Sequence, residues 1–162
     1  MLVSVTVIVM LFLVLILQRT IIPLISIQGI SPDLMLIFIV YWSGQRSRFQ
    51  GVIAGFTGGL LQDLAGAGVV GVFALSKTIA AYISCSFPWG RLEKNVLPMS
   101  VALLAASSVH YMIYYLFQLR NSAAGFLAML LRYGIPSVVY TTVLGVILYA
   151  GTEWIKQKRR RR

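Results

Sequence analysis

The sequence predicts an all-α integral membrane protein, a bundle of six transmembrane helices with both termini in the cytoplasm. Three observations point there. Of the 162 residues, 59% are hydrophobic and only 11% are charged, against about 25% charged in an ordinary soluble domain. The charges are clustered, so that residues 1–18, 34–45, 49–62, 64–76, 78–90, 95–119 and 133–152 contain none. The cations, 14 Lys and Arg against 4 Asp and Glu, gather at alternate turns. A cytosolic enzyme is excluded by this composition, and no polar stretch is long enough for a separate soluble domain.

Taken in order, the first span covers Leu2–Leu17 and can run on towards Pro23. It lacks the basic start and the small-x-small cleavage site of a signal peptide, so it reads as a retained helix. The loop IPLISIQGISPD follows. In it Ser31 reads as the N-cap of the next helix, Pro32 as its first residue and Asp33 as a carboxylate on the positive dipole end. The second span is Leu34–Gly44, closed by a tight turn at Arg46 and Arg48, and the third is Phe49–Leu64. Sixteen helical residues reach only about 24 Å, short of a hydrocarbon core of roughly 30 Å. These two spans therefore either thin the bilayer or lie partly re-entrant. Glycines 66, 68 and 71 form a loop before the fourth span, Val69–Phe87. The fifth is Val96–Leu119 and the sixth Ala128–Gly151. Residues 1–152 thus form one transmembrane domain, and 153–162 a basic tail.

Cations favour the cytoplasmic side. Lys156, Lys158, Arg159, Arg160, Arg161 and Arg162 of the tail, with Arg46, Arg48, Arg91 and Lys94 of the turns, make ten on one side. Arg19, Arg120 and Arg132 make three on the other. Trp42, Trp89 and Trp154 fall at the same cytoplasmic ends, where an interfacial aromatic belt belongs.

No catalytic constellation, metal-ligand spacing or phosphate-cradling loop is present, and no cofactor is expected. Cys85 and His110 are single. What stands out is GVIAGFTGGLLQD, with Gly51, Gly55, Gly59 and Asp63 at intervals of four. On a helix these positions form one stripe, bare enough for another helix backbone to approach closely. The stripe either packs within the bundle or seats a partner's transmembrane helix. Asp63 ends it as a solvated loop carboxylate, a loop anchor or, with Asp33, an acidic outer rim. Lys77 lies inside the fourth span, where a cation costs at least about 2.5 kcal/mol unless it is compensated. It can snorkel to the outer interface, pair with Asp63, contact His110 or Tyr111, or serve a ligand. His110, Tyr111, Tyr114 and Tyr115 cluster in the fifth span with Ser107, as interhelical glue or as a cavity lining. The basic residues of the tail and turns read as an anchor to anionic lipid or to an acidic cytoplasmic protein. Nucleic acid is not an expected partner.

Pro32-Asp33-Leu34 opening a span, then Gly51-x-x-x-Gly55-Phe56-x-x-Gly59-Leu60-x-x-Asp63, a Gly-rich loop and Ala74-Leu75, resembles the bacterial rod-shape-determining MreD family. These motifs cover residues 32–90; elsewhere the resemblance rests on length, span number and the basic end. The resemblance implies a non-enzymatic membrane scaffold in the cell-elongation machinery, bound to an MreC-like protein with one transmembrane helix. It further implies links to the MreB filament, the RodA glycosyltransferase and its class B penicillin-binding transpeptidase, and thereby regulation of peptidoglycan synthesis. The fold it implies is like that of the S components of energy-coupling-factor transporters. A second reading follows from that likeness. The chain would then be the substrate-binding subunit of a vitamin-type transporter, with Lys77, His110, Tyr111 and Arg132 lining an outward pocket.

Overall fold

A computed structural model describes residues 5–66, 69–87, 96–117 and 123–160. Trp89, Arg91, Lys94, Arg120, Arg161 and Arg162 lie outside the described residues, as do the side chains of Lys156, Arg159 and Arg160.

Every regular element among the described residues is helical. Helix α1 (Val5–Thr20) is a run of Val, Leu and Ile that buries only Val7 and Leu11. The rest of its surface is apolar and open, with Phe12 49% and Ile16 59% exposed. A short turn, α2 (Ile22–Ile25), carries Pro23 in its first positions, where a missing N–H costs nothing. The chain then reverses at Gln28 and Gly29, both at positive φ, while Ile27 and Ile30 exchange backbone hydrogen bonds of 3.0 and 2.9 Å. Two consecutive left-handed residues are what a tight two-residue reversal requires.

Helix α3 (Leu34–Gly44) begins two residues later than Ser31 and Pro32 suggest. Asp33 is the N-cap, and its carboxylate accepts from the Leu36 N–H at 3.0 Å. Ser31 is placed elsewhere, its carbonyl accepting from the Tyr111 hydroxyl at 3.3 Å. Helix α4 (Arg48–Ala65) is capped by Ser47, and α5 (Val72–Cys85) starts after Gly71, whose φ of 100° favours glycine. Helix α6 spans Val96–Phe117. Helix α7 (Ala123–Met129) continues through a π-helical turn, Leu130–Gly134, into α8 (Ile135–Arg160). In that turn the Ile135 N–H reaches back to the Leu130 carbonyl. The widened turn immediately precedes Pro136, which has no N–H to continue the ladder.

Helix α5 is the hub, packed against α3, α4 and α6, with α8 behind α6 and α1 against α3. One apolar core joins Leu36, Val40, Ala80, Met99 and Leu103; a second joins Val7, Leu11, Met35, Ile39 and Ala81. Contacts at the two ends show that successive helices alternate in direction. At one end Asp33, Asp63, Phe73, Tyr111 and Thr141 converge. At the other, the Ser84 hydroxyl donates to the Val40 carbonyl at 2.8 Å and the Cys85 thiol to the Ser43 carbonyl at 3.3 Å.

Among the described residues two helices are long and apolar enough to cross a membrane, Val96–Phe117 and the continuous run Gly125–Ile155. Only 44% of the most apolar 18-residue stretch of the first and 28% of that of the second is buried within the protein. Their apolar length therefore exceeds what the chain itself covers, which is the expected state of a helix that faces lipid.

Candidate functional site: a sealed charge cluster below an open cavity

The glycine stripe comes first, because it lets the cluster form. A Cβ built on Gly55 would lie 2.6 Å from the Lys77 carbonyl oxygen, and one on Gly59 would lie 2.5 Å from the Ala74 Cα. One on Gly51 would meet the Cys85 Sγ at 2.6 Å. Helix α5 therefore lies directly on the bare face of α4, along its whole length. Gly58, on the neighbouring face, meets the side-chain ends of Ile39, Leu11 and Met35.

Asp63 completes that contact. It is 3% exposed, and its two carboxylate oxygens accept from the Phe73 N–H at 3.1 Å and the Ala74 N–H at 2.9 Å. The last turn of α4 thus caps the first turn of α5, opposite the positive end of its dipole. Asp63 is neither a solvated rim carboxylate nor the partner of Lys77.

The partner of Lys77 is Asp33. The Lys77 ammonium donates to Asp33 Oδ2, and Lys77 is wholly buried. The snorkelling alternative is thereby corrected. The nearest carboxylate compensates the charge in place, which is required because an unpaired cation at this depth is costly. His110 Nε2 lies 3.4 Å from the same carboxylate oxygen. Helix α8 contributes Thr141, whose Oγ1 accepts from the Asp33 N–H at 3.2 Å and lies 3.3 Å from the Tyr111 hydroxyl. Asp33 therefore holds four elements at once: its own helix, α5 through Lys77, α6 through His110 and α8 through Thr141.

An aromatic layer closes the cluster. The Lys77 ammonium lies 4.9 Å from the Phe73 ring centroid, and Phe73 stacks on Tyr114 at 5.1 Å and 19°. Above these rings an open cavity of about 1000 Å³ lies between α1, the 26–31 loop and the ends of α4, α5 and α6. Lys77, His110 and Tyr111 do not line it. Arg132 is exposed and stacks over Tyr133 at 5.6 Å, so it does not join them.

At the far end Arg46 stacks over Trp42 at 5.7 Å and Arg48 over Tyr82 at 6.0 Å, both arginines exposed. Lys158 lies 5.3 Å from the Trp154 ring. These cation–aromatic pairs resemble an interfacial layer. Asp33 as organiser, and Phe73 and Thr141 as parts of the site, are additions to the residues expected. The one sequence signal for Asp33 was that it precedes a charge-free helix and has few competing carboxylates in the chain.

Among the described residues no group of His, Cys, Asp and Glu could hold a metal ion. Most of the cluster's polar groups pair with one another, while the His110 Nδ1 is buried without a hydrogen-bond partner. In comparison with known proteins, the family model for the rod shape-determining protein MreD matches residues 1–155. No curated protein and no solved structure matches the chain.

Proposed function

This chain belongs to the MreD family of rod shape-determining proteins, and from that premise we propose that it is a non-catalytic, multi-pass scaffold of the cell-elongation complex in the bacterial inner membrane. The family match carries this reading. The sealed cluster agrees with it, since its charges are spent on holding helices together. In this proposal the chain crosses the membrane six times in a bundle of the S-component kind, with the Asp33 end outside. Its occupant is the single transmembrane helix of an MreC-like protein, through which it bears on the MreB filament, RodA, the class B transpeptidase and peptidoglycan synthesis. Arg46, Arg48 and the basic tail rest on anionic lipid.

The glycine stripe is filled by α5 of the same chain, so the partner helix is assigned to another face. Broad apolar surface is available on α1, α6 and α8, where Phe12 is 49%, Leu104 53% and Ile147 60% exposed. Photo-crosslinkers placed singly at these three positions, with an MreC-like protein co-expressed, test the proposal. A crosslinked heterodimer from at least one position is expected. Absence from all three, with normal insertion of the protein, would remove the scaffold reading.

A further inference from the structure

A groove on the flank of the bundle is separate from the cavity at the Asp33 end. Helix α3 forms its floor, α1 and α8 stand on either side, and its volume is about 320 Å³. Leu34, Phe38 and Tyr41 line it from α3, and Gly145, Leu148 and Thr152 from α8. Intervals of three and four make the groove run lengthwise along both helices, for about 10 Å. No charged residue lines it. The Thr152 hydroxyl is spent on its own helix, donating to the Tyr149 carbonyl at 2.8 Å. Tyr149 also lines the groove, and its ring packs edge to face on Tyr41 at 5.9 Å, so the two rings extend the apolar wall. Such a surface offers a water-soluble ligand little to replace its lost hydration, whereas hydrocarbon loses none. A partner helix fits poorly, because close helix approach in a bilayer needs small residues at the contact. The rim here is Leu17, Phe38 and Leu148. Its one glycine, Gly145, is turned inward, since a Cβ there would lie 2.3 Å from Leu103 Cδ2. A narrow apolar occupant remains.

We infer that this groove holds one acyl chain of an anionic phospholipid of the cytoplasmic leaflet. The sign of the headgroup follows from what borders the end of the groove away from Asp33. Tyr41 adjoins Trp42, over which Arg46 stacks, and Thr152 lies one turn before Lys158 and the Trp154 ring that it covers. Glu153 is the one carboxylate at that end among the described residues, against Arg46, Arg48 and Lys158. The chain therefore lies along α3, and its phosphate reaches a layer of cations and aromatic rings. This inference rests on the membrane-spanning orientation proposed above and on no protein partner. Phe12, Leu104 and Ile147, where the partner helix is tested, lie outside the groove, so either reading can fail alone.

The test places the full-length protein in nanodiscs of equal parts phosphatidylcholine and phosphatidylglycerol. Lipid retained after transfer to detergent is counted by native mass spectrometry. Phosphatidylglycerol is expected to be retained over phosphatidylcholine. Leu148→Trp, which fills the groove, should lower that retention about tenfold, the effect of excluding about two methylenes. Leu104→Trp, at a residue equally open to lipid but outside the groove, should leave it unchanged. Arg46→Gln combined with Lys158→Gln should keep a lipid bound but shift it towards phosphatidylcholine. Phosphatidylglycerol with a diazirine in its acyl chain checks the place without any substitution. Its label is expected on Leu34–Tyr41 and Leu148–Thr152 ahead of the Leu104 face of α6. Even labelling of every lipid-facing helix, equal loss in Leu148→Trp and Leu104→Trp, or equal retention of the two lipids by the unaltered protein overturns the inference. Label that disappears when an MreC-like protein is co-expressed would give the groove to a protein helix and overturn it too.

Discussion

Lys77 and Asp33 meet in the interior although 44 residues separate them, and neither side chain is more than 6% exposed. The pair joins α5 to the start of α3 and is the point at which four helices are tied.

Removing one member of a buried ion pair leaves the other uncompensated, at a cost of about 3–5 kcal/mol, whereas an apolar replacement of both can be nearly neutral. Lys77→Met should therefore lower the thermal midpoint in detergent strongly. Asp33→Asn should do the same, while its amide oxygen can still accept from the Leu36 N–H and keep the cap of α3. The double variant should recover part of the loss. Midpoints that fall additively would show that the two charges are not coupled.

Substitutions along α4 should rank by what a new Cβ meets. Gly55→Ala and Gly59→Ala press on the α5 backbone, which cannot move aside, and should cost about 1–3 kcal/mol each. Gly58→Ala presses on the flexible side-chain ends of Ile39, Leu11 and Met35 rather than on backbone, and should cost less. Gly71→Ala meets nothing within 4 Å but holds φ at 100°, so its cost is backbone strain of about 1–2 kcal/mol. Detergent unfolding midpoints check the order, and a Gly58→Ala loss as large as that of Gly59→Ala would contradict the packing described.

Much of this was legible in the sequence, for physical reasons. Gly51, Gly55, Gly59 and Asp63 announce themselves because intervals of four select one helix face, and a bare face in a lipid-solvated chain requires close packing. What could not be read is which helix fills that face, since spacing within α4 says nothing of the neighbour. Lys77 was legible as a residue needing compensation. Its partner was not, because Asp33 and Asp63 both end helices on the same side, and only the three-dimensional placement of α3 against α5 separates them. The cap shift from Ser31 to Asp33 was hidden for a related reason. Local preference allows either residue, and the long-range bonds to Lys77 and Thr141 decide.

Asp63 is expected to act locally. Asp63→Ala removes the acceptors of the Phe73 and Ala74 N–H groups and should cost about 0.5–2 kcal/mol, the range for loss of an N-cap. Hydrogen exchange should quicken in the first turn of α5 and leave the Ser43–Cys85 end unchanged. Asp63→Asn keeps an acceptor oxygen and should retain part of the protection. Uniformly faster exchange throughout α5 would assign Asp63 a global role instead.

The proposed orientation can be tested against the two charged ends separately. Cys85→Ser preserves a donor to the Ser43 carbonyl and provides a background without cysteine, since Cys85 is the single one. In that background a cysteine at Arg46 should resist a membrane-impermeant thiol reagent in intact cells and react after permeabilisation. A cysteine at Ser26, in the exposed loop after α2, should react in intact cells. The two sites lie at opposite ends of the bundle, so a single orientation cannot leave both protected or both labelled. Reaction at Arg46 alone would invert the topology. The cavity would then open to the cytoplasm, and the cation–aromatic pairs at Trp42 and Tyr82 would face outward, against the usual placement of positive charge.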